Sequence, residues 1–155
     1  MGEPMARSDR AAPEHADHYR HFVPITTRWM DNDAYGHVNN VVYYSYFDTA
    51  ANHYLIHEGG LDIERSEVIG LVVESRCRYH APVAYPQDLR VGVRVDRLGE
   101  RSVVYGLAVF TQESDRACAD GSFAHVFVDR ATRRPAAIPA SIRAALSRIL
   151  RSEQL

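Results

Sequence analysis

The densest chemistry in the chain lies in one stretch, Arg28-Trp29-Met30-Asp31-Asn32-Asp33-Ala34-Tyr35-Gly36-His37-Val38-Asn39-Asn40. Asp, Asn and Gly cluster there as they do in loops, and the stretch runs directly into a segment with helical periodicity. A helix N-terminus presents unpaired N–H groups and partial positive charge. Such groups can hold a developing oxyanion, as an acyl-transfer site requires. A carboxylate just ahead of them can act on a water or directly on a carbonyl. Asp33 is the candidate carboxylate. Asn40 sits where a helix cap and an oxyanion holder can be one residue. His37 can orient substrate or Asp33, or simply bond to backbone. Gly36 allows a backbone conformation that other residues resist. Asp31 reads as a brace for the loop, a common role for Asp in turns. Asp48, two turns into the helix, is a rival base or a structural ion-pair partner.

These residues need elements to position them. Residues 20–29 read as a strand, with Pro24 implying an edge position or a bulge. From Asn40 to about His57 the period becomes helical: Tyr43, Phe47, Ala50 and Tyr54 share a face, with Tyr44, Ala51 and Leu55 beside them. The apolar arc is broad, so the helix is expected to be buried over much of its girth. Asn39 or Asn40 is a plausible cap, and Glu58-Gly59-Gly60 supplies the stop. Residues 70–80, past an opening apolar run, and 89–97 alternate as strands do, residues 102–112 and 117–129 read as two further strands joined by short turns, and a second helix is expected over about 141–151. Sequential strands with tight turns imply an antiparallel sheet. One long helix with a wide apolar arc implies that this sheet curls around it, an α+β fold. Tyr43 and Phe47 then face the sheet as pocket wall.

Composition removes several function classes. With 155 residues the chain is one domain with room for one core. Twenty acidic and 18 basic residues give a net charge of −2, and the isoelectric point near 6.4 is far from the value above about 9 typical of a nucleic-acid binder. Every basic residue is Arg, which excludes a Schiff-base or P-loop lysine. Cys77 and Cys118 are too far apart in sequence for a zinc knuckle or a CxxC redox motif, and a reduced, cytoplasmic protein is expected. No apolar run reaches the roughly 20 residues a membrane span needs. Residues 1–18 read as a flexible tail and 19–155 as the domain. His15, His18 and His21 in and beside that tail could invite a metal by their spacing, but no orienting carboxylate is evident, so no metal is expected.

The string D-x-D-x-x-G-H-V-N-N, residues 31–40, followed by Tyr43, Tyr46, Phe47 and Asp48, resembles the acyl-CoA thioesterases of the hot-dog fold, in the 4-hydroxybenzoyl-CoA thioesterase-like group. The resemblance spans about residues 20–130. It implies a five-stranded antiparallel sheet wrapped around one long helix, with a short C-terminal helix. It implies that Asp33 is the catalytic carboxylate and that the backbone N–H near Asn40 polarises the thioester carbonyl. It also implies a homodimer, or a tetramer of two dimers, with sites at the interface, where Gly70 and Val72 line the partner's site. The substrate implied is a thioester of CoA or of acyl carrier protein, with no cofactor. The His37-Val38-Asn39-Asn40 form favours aliphatic over aromatic acyl groups. Asp48 and Asn52 stand where many relatives carry Glu and Arg. A hydratase or dehydratase of acyl thioesters, with His37 as base, and a non-catalytic acyl-thioester-binding module are the alternatives. Arg76, Arg78, Arg94, Arg97, Arg101, Arg130, Arg133 and Arg134 are unranked candidates for the CoA phosphates.

Overall fold

The structure is a computed structural model and describes residues 11–152. Five strands, β1 (His21–Thr26), β2 (Val68–Tyr79), β3 (Asp88–Leu98), β4 (Ser102–Thr111) and β5 (Ala119–Asp129), form one antiparallel sheet in the order β1-β3-β4-β5-β2. Helix α1 (Val42–His57) lies in its concave face, and α2 (Ala140–Arg148) closes one end of the core against β3. This is the predicted hot-dog architecture.

The alternation read from sequence explains the layering. Leu89, Val91, Val93 and Val95 of β3 fall on one face at period two and pack in the main core with Phe47, Ala50, Tyr54 and Leu55 of α1. The buried residues of α1 recur at three- and four-residue intervals: Tyr43, Tyr46, Phe47, Ala50, Ala51, Tyr54 and Leu55. Ser45 and Asp48 stay exposed. Chain reversal after α1 uses Gly60 at φ +72°, a left-handed conformation suited to glycine.

Several boundaries differ from the sequence reading. Strand β1 stops at Thr26, and Trp29–Asp31 form a 3-10 turn. Pro24 does sit on an edge strand, since β1 pairs only with β3. Helix α1 begins at Val42 with Val41 in the cap position. Asn39 nevertheless does the capping chemistry, because its Oδ1 accepts the Val41 N–H at 3.0 Å. Strand β2 starts two residues early at Val68, held to Asp129.

Residues 1–10 of the expected tail lie outside the described residues. Residues 14–19 are seated on the convex face of the sheet. Ala16 N–H donates to the Asp115 carbonyl and Ala117 N–H to the Glu14 carbonyl, both at 2.8 Å. Ala16 and Tyr19 join Ala108, Phe110 and Ala117 in a second core cluster. Gly92 makes this possible, because a Cβ there would stand 2.7 Å from the Tyr19 ring. A short segment docked by two side chains and backbone pairing has no periodicity for a sequence reading to detect. The three nearby histidines do not converge. His15 caps the short turn by accepting the Asp17 N–H, His18 pairs with Glu14, and His21 packs edge-on to Tyr54. Among the described residues no three His, Cys, Asp or Glu side chains are arranged to hold a metal, and no helix is long and apolar enough to cross a membrane.

Candidate active site

The loop before α1 is built on Asp31. Its carboxylate is fully buried and accepts from the Arg28 backbone N–H, the Arg28 guanidinium at 2.9 Å and the Tyr46 hydroxyl at 2.7 Å. Burial pushes this carboxyl upward, but the Tyr46 and Arg28 donors outweigh it and hold it below the ordinary Asp range. The backbone is tied as well, since Asn39 N–H donates to the Asp31 carbonyl at 2.9 Å. Asp31 is therefore the brace that its turn context suggested.

Between these ties the chain makes one tight reversal. Asn32 and Val38 bridge across its base. Asp33 N–H donates to the His37 carbonyl at 2.9 Å, and Gly36 N–H to the Asp33 carbonyl at 3.1 Å. Gly36 takes φ +84°, a conformation that costs a residue with a Cβ roughly 1–2 kcal/mol. The Asp33 side chain folds back so that Oδ1 accepts the Tyr35 N–H at 2.8 Å. Among the described residues Oδ2 makes no hydrogen bond, and Asp33 is half-buried.

Asp33, His37, Asn40 and Tyr43 meet on the wall of one open cleft of about 500 Å³, together with Tyr79 and His80. Its size is that of an ordinary small-molecule site. The Tyr79 hydroxyl donates to the Asn40 carbonyl at 2.8 Å, and the Tyr79 ring stands edge-on to Tyr43 at 5.1 Å. These contacts fix the first turn of the helix against the end of β2. Asn39 takes both the Val41 and the Val42 N–H groups. Among the described residues the Asn40 N–H is left without a protein partner. It is thus a free donor at the positive end of α1, on the same cleft as a carboxylate with one unpaired oxygen. A carbonyl placed there would meet a donor on one side and a proton acceptor on the other.

The other sequence-derived candidates lie elsewhere. Gly36 shapes the reversal without lining the cleft. Phe47 is fully buried one turn further along α1, edge-on to Phe123 at 6.0 Å, so it supports the cleft from within the core. Gly70 and Val72 are on β2, at least seven residues from Tyr79, or about 23 Å along a strand. They belong to the free edge of the sheet and not to this chain's own cleft. Asp48 is exposed on α1, and its Oδ1 accepts from Asn52 Nδ2 at 3.0 Å. It does not line the cleft.

Two residues escaped the sequence reading. His80 lines the cleft, and its Nε2 lies 2.8 Å from Asp120 Oδ2. Asp120 is a buried carboxylate on β5 that also binds the Arg78 guanidinium at 2.9 Å. The available signal was an acidic residue amid the small and apolar residues of a strand, since such a charge needs partners when buried.

Comparison with known proteins places this geometry in a family context. Residues 27–146 match the model of the thioesterase-like superfamily. No curated protein matches. Among solved structures, the PA5185 protein of Pseudomonas aeruginosa PAO1 is 57% identical, with a TM-score of 0.90, over 93% of this chain and all of its own. PA2801 of the same species, provisionally described as a thioesterase, is 34% identical with a TM-score of 0.76, over 81% of this chain and 97% of its own. BH1999, a gentisyl-coenzyme A thioesterase, is 23% identical with a TM-score of 0.72, over 81% and 99%; at that identity it shares the fold.

Proposed function

The chain belongs to the thioesterase-like superfamily and is a thioester hydrolase, and we propose that it acts on CoA thioesters, with fatty acyl-CoAs preferred and cleaved with Asp33 as general base. The observation that carries this reading is the pairing of one unbound Asp33 oxygen with the unpaired Asn40 N–H on a single cleft. Asp33 takes a proton from water. The water oxygen adds to the thioester carbonyl, whose developing negative charge the Asn40 N–H and the α1 dipole hold. Collapse expels the CoA thiolate and leaves the free acid. His37, exposed on the cleft rim, orients the substrate.

The active unit in this proposal is a homodimer joined along β2, present in the cytoplasm. Strand β2 is a twelve-residue free edge, and Leu71, Val72 and Val73 are 37–62% exposed on it. Long apolar edges of that kind are covered in native proteins. Antiparallel pairing centred on the middle of Val68–Tyr79 sets Gly70 of one copy opposite Cys77 of the other, next to the other copy's cleft. Gly70 and Val72 would then serve the neighbouring site. The acyl tail runs from Tyr43 along this seam, and each buried CH₂ adds about 0.8 kcal/mol.

A free-thiol assay over straight-chain acyl-CoAs and the matching acyl carrier protein thioesters tests the reading. Turnover should rise from acetyl-CoA to medium and long chains. A flat response would refute the fatty-acyl assignment, and enoyl-CoA hydration without thiol release would refute hydrolysis by this site. Single turnover in ¹⁸O-water should label the released acid and leave Asp33 unlabelled. Label in Asp33 would mean that its carboxylate attacks the carbonyl directly.

A further inference from the structure

We infer that His80, held by Asp120, is the proton donor to the departing thiolate, a second catalytic group on the cleft beside Asp33. The inference rests on the thioesterase reading and extends it to the other half of the reaction.

Three features of His80 point this way. It is the residue at which the end of β2 turns into the cleft wall, on the same cleft as Asp33 and the Asn40 N–H. Its ring is fixed, because Nε2 lies 2.8 Å from the Oδ2 of a carboxylate whose side chain is only 2% exposed. A carboxylate on one ring nitrogen sets the tautomer and orientation of an imidazole, leaving the other nitrogen for chemistry. Among the described residues that other nitrogen, Nδ1, engages in no hydrogen bond and is not a buried, unpartnered atom.

The contact is also more than the fold needs. The backbone at this point is already anchored, with both His80 N–H and Ala81 N–H donating to the Cys118 carbonyl. Asp120 is already neutralised and bonded without His80: Arg78 reaches its Oδ1 through Nε and NH2, and the Glu14 backbone N–H reaches Oδ2 at 3.1 Å. What the fourth bond adds is a defined imidazole orientation at the cleft.

The step balances as follows. Asp33 Oδ2 removes one proton from water as the water oxygen bonds to the carbonyl carbon. The C–S bond then breaks, its electron pair stays on sulfur, and sulfur takes the Nδ1 proton of the His80 imidazolium. The proton held on Asp33 returns through solvent to His80. Water and thioester are consumed, and carboxylic acid and thiol are produced. An alkyl thiolate leaves far more readily than an alkoxide, so the contribution belongs at the low end of general-acid catalysis, about 10²-fold.

The decisive variant is His80→Gln, whose side-chain N–H can keep donating to Asp120 while carrying no transferable proton. Acyl-CoA hydrolysis should fall about 10²-fold in kcat, with the melting temperature and KM little changed. The S-phenyl thioester of the same acyl group, whose leaving thiolate needs no proton, should be cleaved within a few-fold of the wild-type rate. An equal loss on both thioesters, or no loss on either, overturns the assignment of His80. Should the variant not fold, the wild-type enzyme decides: single-turnover rates across thioesters of increasingly acidic thiols should depend weakly on thiol acidity, and a steep dependence overturns it. If wild type releases no thiol from any thioester, it is the hydrolase reading that fails.

Discussion

Asp31 and Asp33 are two residues apart and chemically identical, so replacing each by Asn separates structure from chemistry. In Asp31→Asn one carboxylate oxygen becomes an NH₂ group that faces either the Arg28 donors or the Tyr46 hydroxyl. At least one buried donor then loses its acceptor, at about 1–3 kcal/mol. The larger penalty of breaking a fully buried ion pair does not apply, because Arg28 is 61% exposed and water can solvate its charge again. A loss of about 2 kcal/mol corresponds to a melting-temperature drop of about 4–8 °C at this chain length. In Asp33→Asn the Tyr35 N–H can still be accepted by the amide oxygen, and Oδ2 has no partner to lose. The expected cost is about 1 kcal/mol or less, the difference between a charged and a neutral hydrogen bond.

Activity should rank the other way. Asp33→Asn should lose about 10²–10⁴ in kcat, the worth of a positioned base. Asp31→Asn should lose activity only in step with its loss of folded protein. Thermal melts and the free-thiol assay on the same preparations give both axes. Near-normal turnover of Asp33→Asn would refute the assignment of the base. So would an inactive Asp48→Asn beside an active Asp33→Asn, since Asp48 lies outside the cleft of its own chain.

Three further outcomes follow from the same contacts. The folded-state pKa of Asp31 lies below its unfolded value, so its stabilisation is complete above about pH 4 and is lost as pH falls through the lower folded value; the melting-temperature gap between wild type and Asp31→Asn should close in acid, and a gap that persists there would contradict the charge argument. Gly36→Ala meets no atom within 4 Å but inherits φ +84°, so it should cost about 1–2 kcal/mol and lower activity through displacement of Asp33, which a melt and the thiol assay together would read. Val73→Glu puts a charge on the exposed edge of β2 and should give monomers without thiol release by sedimentation and assay; an active monomer would refute the shared site.

Most of the fold was legible because it rests on periodicity. The alternation in β3 and the 3.6-residue spacing in α1 each put an apolar face toward the common core, and burial of those faces leaves little choice of layer arrangement. The local loop was legible because the Asp, Asn and Gly clustered there form turns by their own backbone preferences, whereas the roles given to Asp33 and Asn40 came from the resemblance to the family. The misses share a different cause. His80 and Asp120 are 40 positions apart in sequence, and only the pairing of β2 with β5 brings them together. The seating of residues 14–19 depends on Gly92 leaving space under Tyr19, which no local pattern signals. The roles of Gly70 and Val72 depend on a second copy of the chain, so neither the sequence nor a single subunit brings them to a cleft.

The two Asp residues show why a motif needs its structure before it can be divided into roles. The chain ties Asp31 on all sides: Arg28 from before it and Tyr46 from the helix bond to its carboxylate, and Asn39 across the loop bonds to its backbone carbonyl. A carboxylate so satisfied is held as an anion and is poorly placed to accept a further proton. The reversal through Gly36 turns Asp33 the other way, with one oxygen pinned by the Tyr35 N–H and the other left to the cleft. Pinning one oxygen fixes where the free one lies, and the buried Asp31 network fixes the turn that carries both. The inert carboxylate thus holds together the loop that carries the reactive one, and removing it should cost activity only through loss of folded protein. Rate loss in Asp31→Asn should therefore be recovered by cooling to restore folded protein, whereas the loss in Asp33→Asn should persist at every temperature where the variant is folded.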